Sequence, residues 1–125
     1  MDENEISNKV IGAAIEVHKY VGPGLLEAIY KECLGYELKS LGLRVQREVA
    51  LPIKYKGLKF KKGYRADLII ENMVIVELKA VENVTPVYTA QLLSYLRMSS
   101  LRLGILLNFN VAYLRDGVKR VVNNL

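Results

Sequence analysis

Asp67, Glu77 and Lys79 stand in two strand-like apolar runs, residues 64–70 and 73–80. Charged side chains are almost never buried in a strand unless they are paired or bound to a metal. Two carboxylates and a lysine converging on one sheet face make the arrangement that holds a divalent cation beside a phosphodiester. Positions i and i+2 of a strand share a face, so Glu77 and Lys79 point the same way, about 7 Å apart. An all-oxygen ligand set favours Mg²⁺ or Mn²⁺ over zinc. Such a cation polarises a phosphoryl oxygen and lowers the pKa of a bound water. Lys79 beside it would orient or help deprotonate that water and offset the charge on phosphorus. The ordinary alternative is an exposed Glu–Lys pair on a sheet face; Asp67 ten residues upstream in the same hairpin weighs against it.

Whether Asp67 meets Glu77 depends on the hairpin register. A three-residue loop, Glu71-Asn72-Met73, pairs Ile70 with Val74 and so Asp67 with Glu77. A two-residue loop, Glu71-Asn72, pairs Asp67 with Val76 and sends the two carboxylates to opposite faces unless a bulge restores the register. Both loops are compatible with the residues.

Further candidates lie elsewhere. Glu27 sits at the edge of the helical arc of Tyr30, Leu34 and Leu38, where it could lean over the sheet and hold a metal-bound water; it also suits the first turn of a helix, where the dipole favours acids. Gln91 and Tyr95 share a helix face at i and i+4, either lining a site or lying at the edge of the core. His18, the one histidine, falls on the inner side of a first helix and reads as a satisfied structural residue. Lys54, Lys56, Lys59, Lys61, Lys62 and Arg65 interleave with Tyr55, Phe60 and Tyr64. That suits contacts to a nucleic-acid backbone or a lysine-protected sheet edge.

These residues need elements to position them. Ile6, Val10, Ala14, Val17 and Val21 have helical spacing, as do Leu26, Ile29, Tyr30, Cys33, Leu34, Leu38 and Leu41. Gly22-Pro23-Gly24 separates the two helices, and Gly42 is a C-terminal stop. The period then changes to two over Val45–Tyr55, with Pro52 marking an edge or a bulge. Thr85 and Pro86 read as N-cap and first residue of a helix running to about Ser100. Leu103–Phe109 reads as a buried strand, and Asp116-Gly117 as a turn into a last strand, Val118–Val122. The order ααβββαββ is that of a mixed α/β domain.

The 125 residues, 51% hydrophobic, suit one domain, residues 1–125, with a real core. One cysteine, Cys33, excludes an internal disulfide and a cysteine-based zinc site, and its apolar neighbours predict a buried, inert thiol. The acidic N-terminus lacks the apolar stretch of a signal peptide, and no run approaches the length of a membrane span, so a cytoplasmic protein with no membrane partner is expected. The net charge of +5 is uneven. Residues 1–41 carry four Lys/Arg and seven Asp/Glu (−3), residues 42–63 seven and one (+6), and residues 64–125 seven and five (+2). The middle segment is the basic patch, and a polyanion is its natural partner.

The segment Gly24-Leu-Leu-Glu27-Ala-Ile-Tyr30 resembles the signature of the GxxExxY family, part of the PD-(D/E)XK nuclease-like superfamily. Asp67 followed by Glu77-Leu78-Lys79 is similar to the superfamily's D…(D/E)xK motif. Gln91 to Tyr95 resembles its QxxxY element, and Leu107-Asn108-Phe109 the family's late strand. Ala66 stands where the superfamily's name has proline. The resemblance spans roughly residues 6–122. It implies a restriction-endonuclease-like αβββαβ core with a central mixed sheet flanked by helices, plus one extra N-terminal helix. It implies Asp67, Glu77 and the Leu78 carbonyl as metal ligands, Glu27 as an outer or water-mediated ligand, and Lys79 and Gln91 among the catalytic residues. Tyr30, Arg65, Tyr95, Lys59, Lys61 and Lys62 are the expected nucleic-acid contacts. The expected function is Mg²⁺- or Mn²⁺-dependent hydrolysis of DNA, or of RNA. The alternative is an inactive nucleic-acid- or protein-binding module of the same fold. A chain this small invites a homodimer to hold a duplex.

Overall fold

The computed structural model describes residues 1–125. Helix α1 (Glu3–Val21) starts at Asp2, whose carboxylate accepts the Glu5 N–H at 2.9 Å. It stops at Gly22, where φ is +74° and a side chain would be strained. Helix α2 (Glu27–Ser40) follows, then strands β1 (Val45–Tyr55), β2 (Leu58–Ile70) and β3 (Val74–Lys79). Helix α3 (Pro86–Ser99) has Thr85 at its N-cap position and proline at its start, as the sequence predicts. Strand β4 (Leu103–Asn108), a 3₁₀ turn (Leu114–Gly117) and strand β5 (Val118–Val122) complete the chain.

The five strands form one sheet in the order β1-β2-β3-β4-β5. All neighbours are antiparallel except β3 and β4, which are parallel and joined by the α3 crossover. The order of elements is the one read from the sequence. The difference lies in β2, which begins at Leu58 rather than Tyr64. Its first residues pair with β1 alone, and their lysines hide them from a reading based on apolar alternation. The β1–β2 register shifts between Leu51 and Ile53, so Pro52 on the edge strand β1 faces a bulge in β2.

Each face of the sheet has its own core. Val74, Val76 and Leu78 of β3 pack with Val10, Val17, Tyr30, Leu34 and Leu38 of α1 and α2. Ile75 packs with Leu92 and Leu96 of α3 on the other face. Alternation along β3 therefore sends Glu77 and Lys79 toward α3. Gly104 lets α3 come close: a Cβ there would meet Leu92 at 2.8 Å. No helix is long and apolar enough to cross a membrane.

Candidate active site

The turn between β2 and β3 decides the register. Glu71 and Asn72 both adopt left-handed backbone conformations (φ +53° and +55°), and the Met73 N–H donates to the Ile70 carbonyl at 2.9 Å. Ile70 pairs with Val74, Ile69 with Ile75 and Leu68 with Val76. This is the three-residue loop, and its continuation sets Asp67 opposite Glu77. The backbone ladder ends at Leu68–Val76. Beyond it the Asp67 side chain takes over, its Oδ2 accepting the Leu78 N–H at 2.9 Å. A carboxylate is thereby locked against the Glu77–Lys79 segment by a peptide N–H that would otherwise be an orphan.

Glu77 is 8% exposed, and its Oε1 is buried without a hydrogen-bond partner. Burial pushes its carboxyl up to about 7, against the pull of Lys79, the Asp67 peptide N–H and Lys31, while Glu27 adds to the rise. A buried, unsatisfied carboxyl oxygen is costly unless something comes to it. Lys79 Nζ lies 4.6 Å from the centroid of the Tyr88 ring on α3. Tyr95, two turns further along α3 and half-buried, stacks on Tyr64 of β2. Its own burial and the Glu77 carboxylate push the Tyr95 hydroxyl up to about 12, so it is a neutral donor at physiological pH.

Two residues here escaped the sequence reading. Lys31, one turn after Glu27 on α2, sets its ammonium between Asp67 Oδ1 (3.1 Å) and Glu48 Oε1. Burial lowers the Lys31 pKa, but hydrogen bonds to Glu48 and Asp67 and their charges outweigh it and leave it raised. The hydrogen bond from Lys31 in turn holds the Glu48 carboxyl below its usual range. Glu48 lies on β1 between the paired positions Arg47 and Val49, with a left-handed φ of +52°. Strain of this kind in a non-glycine residue gathers at functional sites. Its sequence signal was being the one acid in the basic stretch 42–63; that of Lys31 was its i+4 relation to Glu27. Asn108 at the end of β4 is a third supporting residue. Its side chain donates to the Val81 carbonyl (2.9 Å) and accepts the Val81 and Asn110 N–H groups (3.1 and 3.2 Å), gripping the chain just beyond Lys79.

The remaining expected residues divide. Glu27, the first residue of α2, is exposed and acts on Glu77 only as a like charge. Gln91 is exposed on α3. Arg65 lies 3.5 Å from Glu48, at the rim. Lys59, Lys61 and Lys62 are exposed on the outer part of β2. Tyr30 does not serve as a nucleic-acid contact: it is 0% exposed, stacks on Phe109 at 4.4 Å, donates to the Gly22 carbonyl at 2.7 Å and accepts the Leu25 N–H at 3.0 Å. Those bonds pin the Gly22–Leu26 turn that starts α2, so the aromatic of the Gly24–Tyr30 signature is a structural peg. His18 is likewise structural, buried with Nε2 2.8 Å from the Val111 carbonyl. Cys33 is only half-buried, because the α1–α2 packing stops short of it and leaves an open groove there.

No three His, Cys, Asp or Glu side chains cluster tightly enough to hold a metal by themselves. A divalent cation still suits the donors: the unpartnered Glu77 Oε1, the ordered Asp67 carboxylate and the intervening Leu78 backbone offer hard oxygen ligands. No curated protein and no solved structure matches this chain. The family model for the PD-(D/E)XK nuclease superfamily matches residues 4–121, a span holding Asp67, the Glu77-Leu78-Lys79 segment and the restriction-endonuclease-like α/β core around them. On that match the chain belongs to the PD-(D/E)XK nuclease superfamily.

Proposed function

We propose that the protein is a metal-dependent nuclease that hydrolyses phosphodiester bonds in DNA, of the GxxExxY type suggested by Gly24, Glu27 and Tyr30. The observation that carries this reading is Glu77, buried beside Asp67 with one carboxyl oxygen unpartnered. Asp67, Glu77 and the Leu78 carbonyl would hold Mg²⁺ or Mn²⁺, with Glu27 reaching in through water. When bound, the cation supplies Lewis-acid activation of the phosphoryl group and of water. Asp67 is kept in place by the Leu78 N–H and so needs little reorganisation. Lys79 orients the attacking water and offsets charge on phosphorus. Tyr95 donates from α3 as a neutral phenol, and Gln91 approaches from the same helix face. Arg65, Lys59, Lys61 and Lys62 contact phosphates outside the centre.

One observation favours a second reading. Lys31 already neutralises Asp67 and Glu48, as it would in an inactive nucleic-acid- or protein-binding module of this fold. Calorimetric titration of Mn²⁺ and Mg²⁺ separates the two. A nuclease binds the cation, with or without DNA present, and loses it in Glu77→Ala. A protein that binds neither cation under either condition is the module.

A further inference from the structure

Beyond the sheet body, β1 and β2 continue as a two-stranded ribbon, residues 51–63, with no third strand beside it. Register gives the ribbon two different faces. Lys54 pairs with Lys59, while the flanking pairs, Ile53 with Phe60 and Tyr55 with Leu58, point the opposite way. Tyr55, Leu58 and Phe60 are 61%, 58% and 49% exposed. Lys61, Lys62 and Gly63 form the bulge opposite Pro52, and Lys56 caps the turn with φ +51°. There is no acid between Val49 and Ala66. None of the five ribbon lysines is in an ion pair. Like charges directly across a ladder destabilise it, and a polyanion set against this face would relieve that cost. The ribbon continues the two strands that carry Glu48 and Asp67.

We propose that the 51–63 ribbon is a grip for double-stranded DNA, its Lys54–Lys59 face set against the duplex and its Tyr55–Phe60 face turned away. This rests on the nuclease reading and names the substrate form. The duplex follows from the separation of the faces. A single strand needs cations along its backbone and aromatic rings under its bases in the same groove, whereas here the Lys54–Lys59 pair backs onto the Tyr55 and Phe60 pairs, and only Lys56 at the turn lies against a ring, its Nζ 5.5 Å from the Tyr55 centroid. The major groove of B-form DNA, about 12 Å wide, admits a two-stranded ribbon; that of an RNA duplex is too narrow.

The test is fluorescence anisotropy on the full chain in EDTA, so that binding is read without cleavage. The probes are a B-form DNA duplex, its single strand and an RNA duplex of the same sequence, each across a salt series. Duplex DNA should bind at least about tenfold more tightly than either alternative. Lys54→Ala/Lys59→Ala/Lys61→Ala/Lys62→Ala should weaken it at least about tenfold and reduce the slope of log K against log salt by about 3.6, near 0.9 per phosphate contact. Tyr55→Ser/Phe60→Ser should change it less than twofold. Preference for the single strand, with binding lost in Tyr55→Ser/Phe60→Ser, would overturn the proposal in favour of a stacking arm. Unchanged affinity in the lysine variant would overturn it outright. Cation titration of the wild-type chain keeps the readings apart: cation binding without duplex binding removes the grip and leaves the nuclease, and the converse removes the nuclease and leaves the grip.

Discussion

Glu77 is the residue on which the chemistry turns, and its cost is measurable. Its carboxyl titrates near 7 in the folded protein and near 4.5 when unfolded. Between those values the native state holds the extra proton, so Glu77 lowers stability progressively as pH rises from about 4.5 to about 7 and adds no further slope above that. Full expression of that shift is worth about 3 kcal/mol. Glu77→Gln removes the charge while keeping the shape. The variant should be the more stable protein at pH 8 by about 2–3 kcal/mol, with the gap closing toward pH 4.5. Urea unfolding across that range checks it; a gap that does not depend on pH would mean that Glu77 is ionised in the fold without penalty. Lys31 and Glu48 belong to the same scale. They supply positive and negative charge beside Asp67 from two elements distant in sequence, so their local signals do not say that they meet Asp67.

At the scale of elements, the site is made where strands part. The β2–β3 ladder ends one pair short of Asp67 and Glu77, and side chains replace backbone partners from there on. On the other side of β3, Asn108 does the same for the exit after Lys79. Asn108 is 3% exposed, so Asn108→Ala would strand the Val81 N–H and C=O groups. The expected loss is about 1–3 kcal/mol in chemical denaturation. Lys79 should lose its anchor as well, with faster amide exchange at residues 79–81. Wild-type stability in the variant would show that water replaces the amide. The hairpin turn was the element whose outcome sequence left open. The left-handed pair Glu71-Asn72 followed by Met73 places Asp67 against the Glu77 strand; a loop one residue shorter would have turned it away.

At the scale of the molecule, α1 and α2 cover one face of the sheet and α3 the other, with β3 and β4 contributing to both cores. The layers cannot separate without exposing the central strands. Unfolding should therefore be a single cooperative transition, with the calorimetric and van't Hoff enthalpies equal. Two resolved transitions would show that the α1–α2 layer melts alone. The charge is layered too: the helical segment 1–41 is net negative, and the cations project from the β1–β2 edge.

The sequence by itself determined the elements and their order. Helical spacing, strand alternation, Gly22, Gly42 and Thr85-Pro86 are local signals, and local backbone preference settles them. It also placed Asp67, Glu77 and Lys79 on the right strands, and the order of motifs pointed to the superfamily that the family model then showed. Tertiary structure decided what depends on residues far apart in the chain. Packing against Phe109 put Tyr30 in the core rather than at a substrate, because a large ring at the α1–α2 junction gains more from burial than from exposure. The approach of α2 to the sheet brought Lys31 between Asp67 and Glu48. Pairing with β1 drew the lysine-rich start of β2 into a ribbon, since ladder hydrogen bonds form whatever the side chains are. Spacing specifies which face of its own element a residue occupies; only the folding of one element onto another specifies what that face meets.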